Sequence, residues 1–155
     1  MSIASLDSAR QIRAPWSYGR PIKRIYLAAR YSRHVELSGY AAELKPLGYE
    51  VTSRWIQGRD SHLDDAADVG VKRELAVRDI EDLLRADMCL SFTEAAGALA
   101  SRGGRHVEFG MAYAKGMASW VVGHRENVFH CLDRVRFFAT WDECLAALEL
   151  RARVP

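Results

Sequence analysis

An α/β fold is what this sequence predicts: a flavodoxin-like, doubly wound parallel sheet of five strands in a three-layer α/β/α arrangement. Three observations carry it. Short apolar runs recur at 21–29, 49–55, 86–92, 118–122 and 135–138, and segments with helical periodicity fall between them. The connection from the third run, Thr93 to Gly104, is rich in small residues and opens on a helix that stops at Gly116. Strands alternating with helices imply a parallel sheet covered on both faces. The expected strand order is 2-1-3-4-5. Such sheets bind ligands at the carboxyl ends of their strands, here in the cleft where strands 1 and 3 diverge.

Each element has its own justification. Residues 1–20, with Pro15, Gly19 and scattered polar side chains, read as an N-terminal arm, and residues 21–155 as one domain. Pro21 to Ala29 is the first strand. It runs into the basic turn Arg30-Tyr31-Ser32-Arg33, where Ser32 stands in position to cap a helix. His34 to Leu47 carries apolar residues at 35, 37, 41, 44 and 47 and stops at Pro46-Leu47-Gly48. Tyr49 to Trp55 is the second strand. After the polar loop Gln57 to Asp60, Ser61 is placed to cap a helix reaching Arg85, with Leu75, Ile80, Leu83 and Leu84 in its stripe and Gly70 as a possible break. The third strand is 86–92 and the fourth 118–122. His124 to His130 reads as a polar loop, Val135 to Phe138 as a short fifth strand, and Thr140 to Arg151 as a capped closing helix.

Composition narrows the function. At 155 residues and 17.4 kDa the chain can bury a full core. A net charge of +2 is far below that of a typical nucleic-acid binder, so no nucleic-acid polymer is expected as partner. Arginine outnumbers lysine, which leaves room for discrete anion contacts. No run of eighteen apolar residues is present and the first eighteen residues lack a secretory signal, so neither membrane association nor export is expected. Cys89, Cys131 and Cys144 read as buried free thiols of a cytoplasmic protein. His34, His62, His106, His124 and His130 show no ligand spacing with those cysteines, so neither a metal nor a cofactor is expected.

The chemistry concentrates on 103–116. Glu108 reads as a first-turn residue of the helix after the glycine pair Gly103-Gly104, where the helix dipole would keep its carboxylate ionised. A charged carboxylate beside a flexible loop suits a nucleophile or base; the plainer alternative is a glutamate that merely serves the dipole. Arg102-Gly103-Gly104-Arg105 could cradle a phosphate through backbone N–H groups and guanidinium forks. The dinucleotide fingerprint, the P-loop and the Gly-x-Ser-x-Gly elbow are all missing. Glycosyl transfer by two carboxylates fits better, with Glu108 attacking an anomeric carbon and Asp79 holding the sugar or moving protons. Asp79 could equally be a solvated helix charge paired with Arg78 or Lys72.

Three segments in order, Arg24 to Ala29, Arg78 to Asp87 and Gly104 to Ala112, resemble the nucleoside 2-deoxyribosyltransferase family, whose superfamily includes 2′-deoxynucleoside 5′-phosphate N-hydrolases and CMP hydrolases. The resemblance spans roughly residues 22–148, and its most specific piece is Glu108-Phe109-Gly110-Met111-Ala112. It implies that Glu108 is the nucleophile forming a covalent glycosyl-enzyme, that the Tyr26 hydroxyl orients it, and that Asp79 lies near sugar and base. It also implies that Asn127 reaches a neighbouring subunit's site to hold the 5′ end of the substrate, in a homodimer or higher homo-oligomer with shared active sites. Without the resemblance, Tyr26 reads as a core aromatic and Asn127 as a turn residue. The arginines depart from a pure nucleoside enzyme: Arg30, Arg33, Arg102 and Arg105 favour a 5′-monophosphate, whereas an asparagine at 127 suits a free 5′-hydroxyl. Transfer to a second base, hydrolysis of nucleoside 5′-monophosphates, a sugar-nucleotide or NAD glycohydrolase, and a non-catalytic nucleotide-binding module all stand at this stage.

Overall fold

The computed structural model describes residues 21–59, 68–98 and 103–153. Five parallel strands, β1 (Arg24–Ala28), β2 (Glu50–Val51), β3 (Met88–Phe92), β4 (Ala118–Val122) and β5 (Val135–Phe138), form one sheet in the order β2-β1-β3-β4-β5. Among the described residues, α1 (His34–Leu44), α2 (Val69–Leu84) and α3 (Gly104–Ala114) connect the strands from β1 through β4, and α4 (Trp141–Ala152) follows β5. The expected fold and strand order are therefore observed. Residues 1–20, the Ser61 cap and Arg102 lie outside the described residues.

Burial follows the layers. β1 and β3 are apolar along almost their whole length because both faces are covered. On one face Phe92, Trp141 and Tyr40 stack, with the Tyr40 and Trp141 ring centroids 4.3 Å apart. Their contacts dock α1 and α4 against β3. On the other face lie α2 and α3, and this is the face that matters for function.

Several local expectations need correcting. β2 pairs over two residues only, Glu50 and Val51, instead of running to Trp55. Beyond Thr52, whose N–H still donates to the Ile25 carbonyl at 2.9 Å, side chains take over the ladder's work. Ser53 Oγ accepts from the Leu27 N–H at 2.7 Å and donates to the Leu27 carbonyl at 3.1 Å, and Trp55 Nε1 donates to that carbonyl at 2.9 Å. Ser32 caps nothing, since Tyr31–Arg33 is a short 3-10 helix without a side-chain cap. Gly70 does not break α2; Asp68 caps the helix by accepting from the Gly70 N–H at 3.0 Å. Ile80 and Leu84 of the proposed stripe face outward, and only Leu83 is fully buried. Cys89 and Cys144 are buried as expected, whereas Cys131 is exposed because it ends a short 3-10 helix on the surface. Thr140 does cap α4, accepting from the Glu143 N–H.

Two ion clusters fix the frame. Asp87 accepts from the backbone N–H groups of Lys23 and Arg24 and from the Arg24 guanidinium, which ties the start of β1 to that of β3. The fully buried Asp82 of α2 accepts from the Arg54 N–H and Nε and from Arg85, which holds α2 against the end of the β2 segment. Every remaining lone pair on a buried carboxylate needs such donors.

Candidate active site

Register decides which side chains share the functional face. Tyr26 of β1 lies beside Cys89 of β3, and Cys89 beside Ser119 of β4, so all three point to the same side. Above them comes α3. Gly103, with φ at +81°, turns the chain into that helix in a conformation that a side chain would disfavour. Tyr26 Oη, fully buried, donates to Glu108 Oε1 at 2.8 Å. The pair thus joins β1 to the helix near the point where strand order reverses, as the cleft rule requires.

Glu108 sits one turn deeper than its sequence context suggests. Helix α3 starts at Gly104 and has no acidic residue in its first turn, so the dipole does not hold this carboxylate ionised. Burial instead pushes its pKa up to about 7, the Tyr26 hydrogen bond opposes that shift, and the charge of Asp79 reinforces it. That shift brings the titration of the carboxyl toward neutral pH. Tyr26 is driven far above the usual phenol range by burial and by the charges of Glu108 and Asp79. Its hydroxyl therefore remains a donor at any working pH.

Asp79, on α2, has a side chain 27% exposed and lies 3.7 Å from Arg78. The pairing with Arg78 read as the plain alternative is thus present. Yet the carboxylate is not a solvated bystander, since its charge acts on both Tyr26 and Glu108. The structure brings Tyr26, Asp79 and Glu108 together from β1, α2 and α3.

The arginines are placed differently. Arg105 is buried, its side chain 3% exposed, and its Nη2 donates to both Glu126 oxygens at 2.5 and 2.7 Å. Glu126 also accepts from the Glu94 N–H at 2.9 Å. Arg33 donates twice to Glu36 at 2.7 Å, to the Thr93 carbonyl at 3.2 Å and to Glu94 at 3.4 Å. Both guanidinium groups are occupied by carboxylates of the same chain. Arg30, at the end of β1, is half-buried and precedes the short 3-10 helix. Gly103 and Gly104 form the entry to α3, as expected.

Asn127 belongs to this rim too. Its Oδ1 caps the short helix Val128–Cys131 by accepting from the Phe129 N–H at 3.0 Å, and its Nδ2 lies 3.4 Å from His106 Nδ1 and 3.3 Å from His130 Nε2. Burial lowers the pKa of both histidines, Arg105 adding to the effect at His106 and the charge of His106 at His130. Gly123, φ +115°, ends β4 where a Cβ would stand 2.7 Å from Thr93 Oγ1. That close approach joins the carboxyl ends of β3 and β4 under the cleft. Glu94, Glu126, His106 and His130 were not singled out from the sequence. The available signal was Arg105, three residues before Glu108 and hence on the same side of the helix, where a buried guanidinium must find a carboxylate. Among the described residues, no group of three or more His, Cys, Asp or Glu is arranged to hold a metal ion, and no helix is long and apolar enough to cross a membrane.

Fold and site together define a doubly wound α/β domain with a tyrosine-held glutamate of raised pKa at the carboxyl ends of β1 and β3. Solved structures share that fold. A 2-deoxyribosyltransferase from Bacillus psychrosaccharolyticus superposes with a TM-score of 0.61 at 20% identity, over 81% of this chain and 95% of the other. The CMP N-glycosidase of Clostridium botulinum superposes with a TM-score of 0.54 at 20% identity, over 83% and 99%. A conserved protein from Enterococcus faecalis V583 gives 0.55 at 16%, over 84% and 99%. At such identities the likeness is one of fold, and it accords with the resemblance carried by residues 22–148 of the sequence. No family model and no curated protein matches the sequence.

Proposed function

We propose that the protein cleaves the N-glycosidic bond of (2′-deoxy)nucleosides through a covalent glycosyl–Glu108 intermediate and transfers the sugar to another base. The single observation that supports this most is the 2.8 Å hydrogen bond from a buried Tyr26 to Glu108. Tyr26 would hold Oε1 and leave Oε2 aimed at C1′. As the C1′–N bond breaks, the base leaves with the electron pair and takes up a proton, while oxocarbenium character grows on the sugar. The Glu108 carboxylate stabilises that charge and then forms the C1′–O bond, giving an ester of inverted configuration. An acceptor base attacks C1′, loses a proton, and returns the carboxylate with the original configuration restored. Asp79 would face sugar and base and keep Glu108 near the pKa at which both protonation states are accessible.

The names of the two enzymes sharing the fold support the reaction class for this chain as well. Hydrolysis of nucleoside 5′-monophosphates is the second reading, favoured by Arg30 and by the glycosidase among those neighbours. Asn127 is assigned the 5′ end of the substrate in a neighbouring subunit, which requires a homo-oligomer. Mixing Glu108→Ala with Asn127→Ala and allowing subunit exchange should then restore activity, and complete exchange without restored activity would remove that assignment. The primary test incubates the protein with deoxynucleosides, their monophosphates and NAD, with and without a free acceptor base. Exchange of base on deoxynucleosides is expected. Binding without release of base from any of them would leave a non-catalytic module.

A further inference from the structure

Among the described residues, the buried serine and threonine hydroxyls around the sheet bond to main-chain carbonyls, with one exception. Thr52 donates to the carbonyl of Ile25, Ser53 to that of Leu27, Thr93 to that of Val122 and Ser119 to that of Met117. Ser91 of β3 is fully buried as well, yet its Oγ has no hydrogen-bond partner among the described residues. A hydroxyl taken out of water and left unpaired costs free energy, and an alanine of nearly the same shape would avoid that cost. Packing alone therefore gives no reason for an oxygen at this position.

The place of Ser91 in the sheet gives that oxygen a use. Ser91 follows Cys89 by two residues, so both side chains leave β3 on the face that carries Tyr26 and receives α3. Phe92, next in the strand, packs in the opposite layer against Tyr40 and Trp141. Ser91 pairs with Ala28 of β1 and Val121 of β4, one row nearer the carboxyl edge than Tyr26, Cys89 and Ser119. The two rows are about 7 Å apart along the strands. Glu108 accepts from Tyr26 and its charge acts on the Cys89 thiol, which ties the carboxylate to the adjoining row. A ligand that reaches Glu108 from the carboxyl ends of the strands comes in from the side of Ser91.

We propose that Ser91 is a further substrate-binding residue, whose hydroxyl pairs with a hydroxyl of the sugar when C1′ is set against Glu108. The identity of the ligand rests on the glycosidic reading of the site; the unpaired oxygen and its row in the sheet supply the residue. A deoxynucleoside offers its 3′ and 5′ hydroxyls, which donate and accept as a serine does. In the free chain Ser91 is covered by its own neighbours, so the sugar must displace them, and pairing a previously unpaired oxygen favours that exchange.

Ser91→Ala tests this with two readouts. Inside the fold the variant loses no hydrogen bond, so its melting temperature should match the wild type's or exceed it by up to about 5 °C. Its kcat/KM for a 2′-deoxynucleoside should nevertheless fall roughly three- to ten-fold, the usual worth of one neutral hydrogen bond. Analogues lacking the 3′ or the 5′ hydroxyl identify the partner: the wild-type advantage should vanish with one of them and persist with the other. An advantage that persists with both, activity equal to wild type, or a lower melting temperature would overturn the inference. If the wild type releases base from no nucleoside, the glycosidic reading fails by itself, and calorimetric titration with the same nucleoside and analogues decides. Weaker binding to Ser91→Ala, with the loss cancelled in one analogue, would still support the contact. Equal binding to both proteins, or binding to neither, would end it.

Discussion

Two glutamates, Glu108 on α3 and Glu126 held by Arg105 of α3, have opposite electrostatic fates. Glu108 meets a phenol and Glu126 a guanidinium. Burial pushes both carboxyls up, but at Glu126 the Arg105 hydrogen bond, the Glu94 N–H and the Arg105 charge outweigh it, and its pKa falls below the usual range. At Glu108 the Tyr26 hydrogen bond alone opposes burial, Asp79 adds to it, and the value settles at about 7. A cation fixes a carboxylate as a structural anion, whereas a neutral donor aims it and leaves it reactive. Groups whose surroundings push their pKa values apart are how a site divides its labour.

Neutralising the two residues separates these roles most sharply. Glu108→Gln should lower base release by about 10³-fold or more, the usual cost of losing a covalent nucleophile. The same change should stabilise the fold. Because the folded pKa of Glu108 lies above its ordinary 4.5, its carboxyl favours folding fully below that value, and the contribution is lost as pH rises through about 7. Glu108→Gln should therefore gain roughly 1–3 kcal/mol above pH 7, and the gain should vanish in acid. Urea unfolding at several pH values checks both statements. A variant that is dead and also less stable at pH 8 would contradict the burial account.

Glu126→Gln should do the reverse. It leaves the buried Arg105 charge without its anion and should cost about 2–4 kcal/mol, less than for a fully buried pair because Glu126 keeps some solvent. Glu126 has a depressed pKa, so its stabilisation is present above the unfolded value and lost as pH falls through the folded one. The deficit of Glu126→Gln should shrink accordingly in acid, which the same unfolding series measures. A deficit unchanged by pH would assign the cost to packing.

Smaller effects sharpen the picture around Glu108. Tyr26→Phe keeps the ring in the core but removes the donor that lowers the Glu108 pKa. Turnover should fall by roughly ten- to a hundred-fold, and the acid limb of the pH–rate profile should move upward from about 7. Asp79→Asn removes a charge that raises that pKa, so its acid limb should move downward. Opposite shifts are the signature to look for. Shifts of the same sign, or none, would mean that Tyr26 and Asp79 act on something other than this carboxylate.

The fold was legible because period and punctuation agree. The apolar runs of β1 and β3, the stop at Gly116 and the Thr140 cap each name one conformation, and the alternation of elements yields the sheet. The shortened β2 was not legible, since Ser53 and Trp55 replace its ladder with side-chain bonds that no periodicity encodes. In the site, the Tyr26–Glu108 pair followed from the resemblance and not from spacing, because 82 residues separate its members. The protonation of Glu108 was misread for a local reason. Its place in the chain suggested the first turn and a helpful dipole, while the helix begins at Gly104 and burial dominates. Arg105 carried the opposite lesson. A guanidinium next to glycines suggests a phosphate, yet its partner is a glutamate 21 positions further along the chain.

The most direct measurement is mass spectrometry of protein quenched in acid during turnover of a deoxynucleoside without acceptor base. A deoxyribosyl mass on the peptide containing Glu108, absent from Glu108→Gln, is the expected result. Base release by the wild type with that peptide unmodified at every quench time, or with the adduct on another residue, would contradict Glu108 as the nucleophile.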